Sequence, residues 1–343
     1  MDVLDHSSRK RQTYQVEVKY SILWECALGI AAVTNSSLID SLDQSLEKVR
    51  KSVSNELSQA LHFVEKENTW KALLQLLHVK DFEHIENFLA FLQELPLTDL
   101  KFYSLPFVGS EHQQTRKMAA NGSEKAMDKL KILTADNPFF PSYIDFICNV
   151  DPKILRGHLQ LVISRWYEEV VTKDIDKLQQ ILEIDAESKK IMKDKKSPEA
   201  FVEWATGGIN YLSEPTVEKV LLIPQYIYRP WNIKADLEGT KVFYYPVSNT
   251  SITPDDRYTP SNLFVLKHKA LADETRLRLV KLLNEKDRTL HELTQMLQLG
   301  KSTLHHHLKI LRAAQLVGTS GSKYILKRAN IDNMQLEMEN YLT

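Results

Sequence analysis

Residues 299–317 read LGKSTLHHHLKILRAAQLV, and hydrogen-bond donors recur in them at helical spacing. Lys301, Ser302, Thr303, His305, His306, Lys309 and Arg312 carry donors of the kinds that reach phosphate oxygens and base edges of duplex DNA. Advancing about 100° per residue from Leu304 puts Leu308 and Leu311 within about 40° of it, which makes one apolar stripe. Ser302, His306, Lys309 and Ala313 then point the opposite way, with Thr303 and His305 on the flanks. Lysine and hydroxyl groups suit contacts in a major groove, and alanine leaves room for the groove wall. An ordinary amphipathic helix with a basic outer face has the same pattern, so the flanking sequence must decide.

Upstream, LADETRLRLVKLL (271–283) begins a helix with Asp273 as its N-cap acceptor. Leu271, Leu277, Leu279, Val280, Leu282 and Leu283 are expected on its core face. Thr289 and Glu292 have capping-box spacing and open a short helix carrying Leu290, Leu293, Met296 and Leu297. A tight link at 298–300 leads to the helix at 301–313. Beyond it, 316–319 and 322–326 read as a hairpin turning at Ser320-Gly321, with Lys323 near its tip. Two helices, a reading helix and a hairpin make a winged helix-turn-helix.

These blocks, in this order and spacing, make residues 267–326 resemble the ArsR family of bacterial repressors. The resemblance implies a module that binds duplex DNA as a dimer, one copy per half-site. Two features depart from the family. Gly300 stands where serine is common before the reading helix, and the wing is short, with one strong cation, Lys323. Many ArsR-type proteins bind metal ions, which calls for cysteine thiolates or clustered His and carboxylate groups. Residues 289–298 contain one histidine and no cysteine, and 331–342 offer Asp332, Glu337 and Glu339 without a histidine. Consecutive helical residues diverge by about 100°, so His305, His306 and His307 cannot close on one ion. No metal site and no cofactor are expected. His305 and His306 are expected to face DNA, and His307 to be a half-buried structural residue.

The composition fits this reading. The 343 residues are 43% apolar and 26% charged, ordinary for a globular protein of two domains. The net charge of −1 hides a segregation: 262–330 hold 13 Lys/Arg against 5 Asp/Glu, a surplus of 8, which leaves −9 on the remainder. A basic block on an acidic body fits a DNA-binding module joined to something that does not bind DNA. Cys26 and Cys148 give neither a disulfide framework nor a metal pattern, which points to a reducing cytoplasm. The charged start MDVLDHSSRKRQ lacks an apolar leader, and the apolar run at 22–33 is interrupted by Glu25 and too short to span a bilayer. No membrane association is expected.

The fold expected is mainly α with minor β. A large helical body at 1–246 carries a small sheet, residues 247–261 form a polar linker, and 262–343 form the winged helix with a C-terminal helix. Arg9-Lys10-Arg11 belong to a solvated tail. Residues 14–20 alternate as a strand, and helical patterns follow at 22–33, 39–65, 68–94, 113–133 (interrupted near Asn121-Gly122), 141–148, 152–171, 174–183 and 197–212. The lysine-rich stretch 185–196 is expected to be an exposed surface. Residues 220–223, 225–228 and 242–246 are β-rich, and the strand at 14–20 is expected to complete their sheet. Trp24, Trp70, Trp166, Trp204 and Trp231 are expected mostly in the core. The opening strand, the apolar helix and the YRPW turn at 228–231 also resemble the body of a group of long ArsR-type regulators. That resemblance implies a body that senses an unidentified small molecule or partner.

No Gly-rich phosphate loop, HExxH, CxxC or GxSxG motif is present, so no enzyme is expected. The sequence thus reads as a transcription regulator, a homodimer on double-stranded DNA. Lys301, Lys309, Arg312 and Lys323 supply phosphate contacts. Ser302, Thr303, His305 and His306 supply base discrimination. Two alternatives stay open at this point: a winged-helix module that binds protein rather than DNA, and an enzyme body fused to a DNA-binding domain. The helix at 331–342 has an apolar side that either pairs with its copy or packs back on its own chain.

Overall fold

The computed structural model describes residues 13–35, 42, 46–137, 139–256 and 258–342. Arg9, Lys10 and Arg11 lie outside them. The described chain is mainly α-helical with two small sheets and divides into two compact units. One holds the residues up to Phe201 together with Tyr211–Pro246, and the other holds Val202–Asn210 and Val247–Thr343. None of the described helices is long and apolar enough to cross a membrane.

The first unit is built around one helix. Strand β1 (Gln15–Val18) leads into α1 (Ile22–Thr34), whose N-cap Ser21 accepts from the Leu23 N–H. Every residue from Leu23 to Thr34 is buried, as befits a helix that is apolar nearly all round. Around it come α2 (Glu47–Ser52), α3 (Asn55–Glu67), α4 (Trp70–Leu76), α5 (Ile85–Glu94), α6 (Leu97–Ser104), α7 (Gln113–Ala120), α8 (Glu124–Leu133), α9 (Phe140–Asn149) and α10 (Pro152–Trp166). The helical patterns at 39–65 and 68–94 are thus each broken. Ser54 takes extended backbone and caps α3 through Leu57 N, and 77–84 separate α4 from α5.

After α10 the chain runs through a π-helical turn at Tyr167–Val171 and a 3-10 turn at Thr172–Asp174 into α11 (Ile175–Lys193). The expectation of an exposed 185–196 holds from Glu187 on, where most residues are exposed, and is corrected at its start. α11 runs past Asp185 and packs on β1 and β2, so Asp185 and Ala186 are fully buried. Lys190, Lys193 and Ile191 are exposed on the outer side of the helix, and Lys189 reaches back to Asp185 at 3.7 Å. On α12 (Pro198–Ala205), Trp204 is 40% exposed rather than in the core. It sits about 100° round the helix from the side that Phe201, Val202 and Ala205 bury. Trp24 and Trp166 are buried, and Trp70 and Trp231 half-buried.

The sheet joins distant segments. β2 (Lys219–Gln225), β3 (Ile233–Leu237) and β4 (Thr240–Pro246) combine with β1 in the order β1-β2-β4-β3. β1, β2 and β4 are parallel, with Val16 opposite Val220 and Leu222 opposite Phe243. The opening strand does therefore complete the sheet. The near-continuous apolar runs of β2 and β4 suit parallel strands covered on both faces. β3 is the antiparallel edge and has no residue fully buried. Residues 226–228, expected to be β-rich, instead form a turn after β2 that contains a cis Arg229-Pro230 bond. Gln225 holds it, accepting from the Tyr228 N–H at 2.7 Å and donating to the Trp231 carbonyl at 2.8 Å. Cys26 and Cys148 are buried and unbridged.

In the second unit, a short helix α13 (Asn249–Ile252), capped by Ser248, lies within the stretch read as linker. Then come α14 (Asn262–Leu271), α15 (Glu274–Glu285), β5 (Arg288–Thr289), α16 (Leu290–Leu297), α17 (Lys301–Ala313), β6 (Val317–Ser320), β7 (Lys323–Leu326), α18 (Arg328–Asp332) and α19 (Met334–Leu342). The three strands pair in the order β5-β7-β6.

Candidate nucleic-acid interface

The C-terminal unit positions α17 through capped, locally determined elements. Asp273 takes extended backbone and accepts from the Arg276 N–H at 2.9 Å, which starts α15. Leu279 and Leu283 of α15 are buried, whereas Leu277 is 49% exposed, against its expected place on the core face. On a helical wheel Leu277 lies about 140° from the bisector of Leu279 and Leu283, so it cannot share their face. Thr289 and Glu292 form the capping box: the Thr289 hydroxyl accepts from the Glu292 N–H, and the Glu292 carboxylate accepts from the Thr289 N–H. The Thr289 N–H, and with it the Thr289 hydroxyl donating to the same carboxylate oxygen, hold the Glu292 carboxyl below its ordinary range. Met296 is 48% exposed, again off the face that Leu290, Leu293 and Leu297 share.

Gln298 ends α16 in left-handed backbone, and Gly300 serves as the N-cap of α17 without a side-chain acceptor. Leu304, Leu308 and Leu311 are fully buried, so the apolar stripe faces the core as its spacing implied. They pack with Leu279, Leu283, Leu293, Leu316 and Val317. Lys301, Ser302, Thr303, His305, His306, Lys309 and Arg312 are all exposed. Ala313 is half-buried rather than turned fully outward. His307 is half-buried, with Nδ1 3.7 Å from Asp273 Oδ1, which places it beside the start of α15. Among the described residues, Lys301, Lys309 and Arg312 form no ion pair, which leaves their charge available to an anion.

α17 ends in a 6→1 closure. Gln315 has a φ of 57°, and the Leu316 N–H bonds to the Leu311 carbonyl at 2.9 Å. The wing follows, with Ser320 opposite Lys323 and the turn at Gly321-Ser322, one residue later than read from sequence. Gly321 takes the positive φ, 57°, that a two-residue hairpin asks of its first central residue. Lys323 is exposed beside this turn.

Several supports escaped sequence reasoning. β5 adds a third strand by pairing Arg288 with Tyr324 and Thr289 with Lys323. The Gln315 amide donates to the Thr206 carbonyl at 3.3 Å, and Lys327 donates to the Gly208 carbonyl. These contacts hold Val202–Asn210 in the unit, and the Gly207-Gly208 pair, whose φ values are positive, was the sign of a special turn that the sequence offered. Within the chain, α19 packs on α14. Glu337 accepts from the 2%-exposed Lys267 at 2.6 Å, and the Tyr341 ring lies tilted against Phe264 with centroids 5.5 Å apart. Among the described residues no group of His, Cys, Asp and Glu is arranged to hold a metal ion.

Residues 273–319 match the family model of bacterial regulatory proteins of the arsR family. The match starts on the Asp273 cap and ends on the first wing strand, so it covers α15, α16 and α17 whole. The C-terminal unit therefore carries an ArsR-family helix-turn-helix domain, the domain of a DNA-binding regulator. No curated protein and no solved structure matches the chain.

Proposed function

We propose, from the premise that residues 273–319 form an ArsR-family helix-turn-helix domain, that the chain is a cytoplasmic transcriptional regulator whose α17 lies in the major groove of an operator. It acts as a homodimer on two half-sites, and the helical body senses a small molecule or partner. The observation that carries the reading is the division of α17: three leucines fully buried on one side, and seven donor residues exposed on the others. Lys301, Lys309, Arg312 and Lys323 neutralise phosphates and supply most of the affinity. Ser302, Thr303, His305 and His306 meet base edges. An effector shifts regulation only by binding the DNA-competent and incompetent forms unequally.

The test is binding of the full chain to duplex DNA from its own upstream region and to random duplex, across a salt series. Wild type should prefer the upstream duplex and lose affinity steeply with salt. Lys309→Ala should weaken binding to both duplexes and lower the salt slope by about 1, and His306→Ala should narrow the preference. Absence of binding at low salt, or unchanged binding by both variants, would show that α17 is not the reader.

A further inference from the structure

The body contains a cleft of about 440 Å³ lined by the only carboxylate within α1. Glu25 is 4% exposed. Its Oε1 accepts from the Ile227 N–H at 2.6 Å and the Tyr226 N–H at 3.1 Å, and its Oε2 accepts from the Tyr226 N–H at 3.0 Å. Among the described residues no cation pairs with it. A carboxylate buried against apolar groups and held by backbone donors alone is short of counter-charge.

The walls are apolar: Leu46 and Val49 come from α2 and its cap, Val170 and Val171 from the π turn, and Leu178 and Ile181 from α11. Two features shape these walls. The π turn adds a residue to the helical winding where α10 ends, and turns of this kind recur at functional sites. On the other side Gly29 lets the Trp166 ring pack close against α1, where a Cβ would stand 2.9 Å from it, so the ring forms a fixed wall between α1 and α10. The charged groups at the rim are Lys48, Lys173, Lys177, Glu169 and Asp174, with Glu169 bound at 2.7 Å by the Ser54 N–H and hydroxyl. They stand in or near solvent and are screened, whereas Glu25 is not. The unscreened charge selects the ligand.

We infer that this cleft binds a small apolar organic cation, an amine or quaternary ammonium, whose charge neutralises Glu25 while its body covers the apolar walls. Its use as an effector rests on the reading of the body as a sensor; the site itself does not. Calorimetric titration of the full chain at pH 8, without DNA, tests it with benzyltrimethylammonium and with phenylmethanesulfonate, which are similar in size and opposite in charge.

The cation should saturate one site and bind at least about tenfold more tightly than the anion. Glu25→Gln keeps an acceptor for the donors at 226 and 227 and should weaken the cation by about tenfold or more. Val49→Trp fills the cleft from its half-buried wall without touching Glu25 and should abolish binding. Should Glu25→Gln not fold, as judged by circular dichroism, Val49→Trp and the charge pair decide. No saturable binding of the cation, equal or tighter binding of the anion, or cation binding undiminished in both variants would overturn the proposal. Adding the cation to the DNA titration is a separate arm. Binding that leaves DNA affinity unchanged keeps the site and removes the sensing reading.

Discussion

The two units place their polar chemistry on opposite sides of their helices. In α17 the leucines turn inward and the donors turn to solvent, so each donor keeps its hydration until a partner displaces it. In α1 the apolar residues are buried all round and Glu25 is buried with them, answered by backbone N–H groups about two hundred positions later. The exposed face costs the fold little and commits to nothing until an anion arrives. The buried carboxylate costs the fold stability at all times above its pKa and gains from any cation that reaches it. A reader of DNA fits the first arrangement, and a receptor for one kind of charge fits the second.

The largest effects should come from the inward-facing groups. Leu308 is fully buried at the centre of the α17 stripe. Leu308→Ala should destabilise the C-terminal unit by about 3 kcal/mol, read from its transition in urea, and should lower DNA binding through unfolding. A loss below about 1 kcal/mol would mean that the stripe is not packed as a core.

Glu25 should come next, with a sign set by pH. Burial pushes its carboxyl from the ordinary 4.5 up to about 7. Between those values the folded body holds a proton that the unfolded chain has released. The contribution of Glu25 to stability is therefore greatest below pH 4.5, falls as pH rises, and levels off above pH 7. The fall amounts to about 3 kcal/mol. Glu25→Gln should remove that slope, so the variant should gain on wild type between pH 4.5 and 7 in urea denaturation of the body. Parallel pH profiles for the two proteins would show that Glu25 is not the buried acid it is taken to be.

The same contrast governs what could be read from the chain. The α17 stripe, the Asp273 cap, the Thr289–Glu292 capping box and the hairpin depend on residues within a turn or two of each other, and spacing shows them. β1 was legible as a strand because its residues alternate. Glu25 showed only as an interruption in an apolar run, since its partners lie in a turn after β2. α14 escaped because its surface is not segregated: Lys267 is buried in it, and Glu337 on α19 supplies the compensation. The burial of Asp185 escaped for the same kind of reason, as its setting is made by strands far away in sequence.

Smaller effects should follow where a support is local and solvent can partly replace it. Thr289→Ala removes the hydroxyl that accepts from the Glu292 N–H and should cost about 1 kcal/mol in the C-terminal unit. DNA affinity under folding conditions should change little, because the cap lies at α16 and not at the reading face.

The smallest effect on the fold should come from Lys323, exposed beside the wing turn. Lys323→Ala should leave stability within about 0.5 kcal/mol of wild type, as expected for a surface change away from caps and cores. Its effect on DNA should appear in the salt series. A phosphate contact by Lys323 would lower the slope by about 1 and weaken all duplexes alike. An unchanged slope would mean that the wing stands clear of the backbone and that the phosphate contacts belong to α17 alone. A loss confined to the upstream duplex would instead place Lys323 at a base edge or in a narrow minor groove, and would move part of the discrimination from Ser302, Thr303, His305 and His306 to the wing.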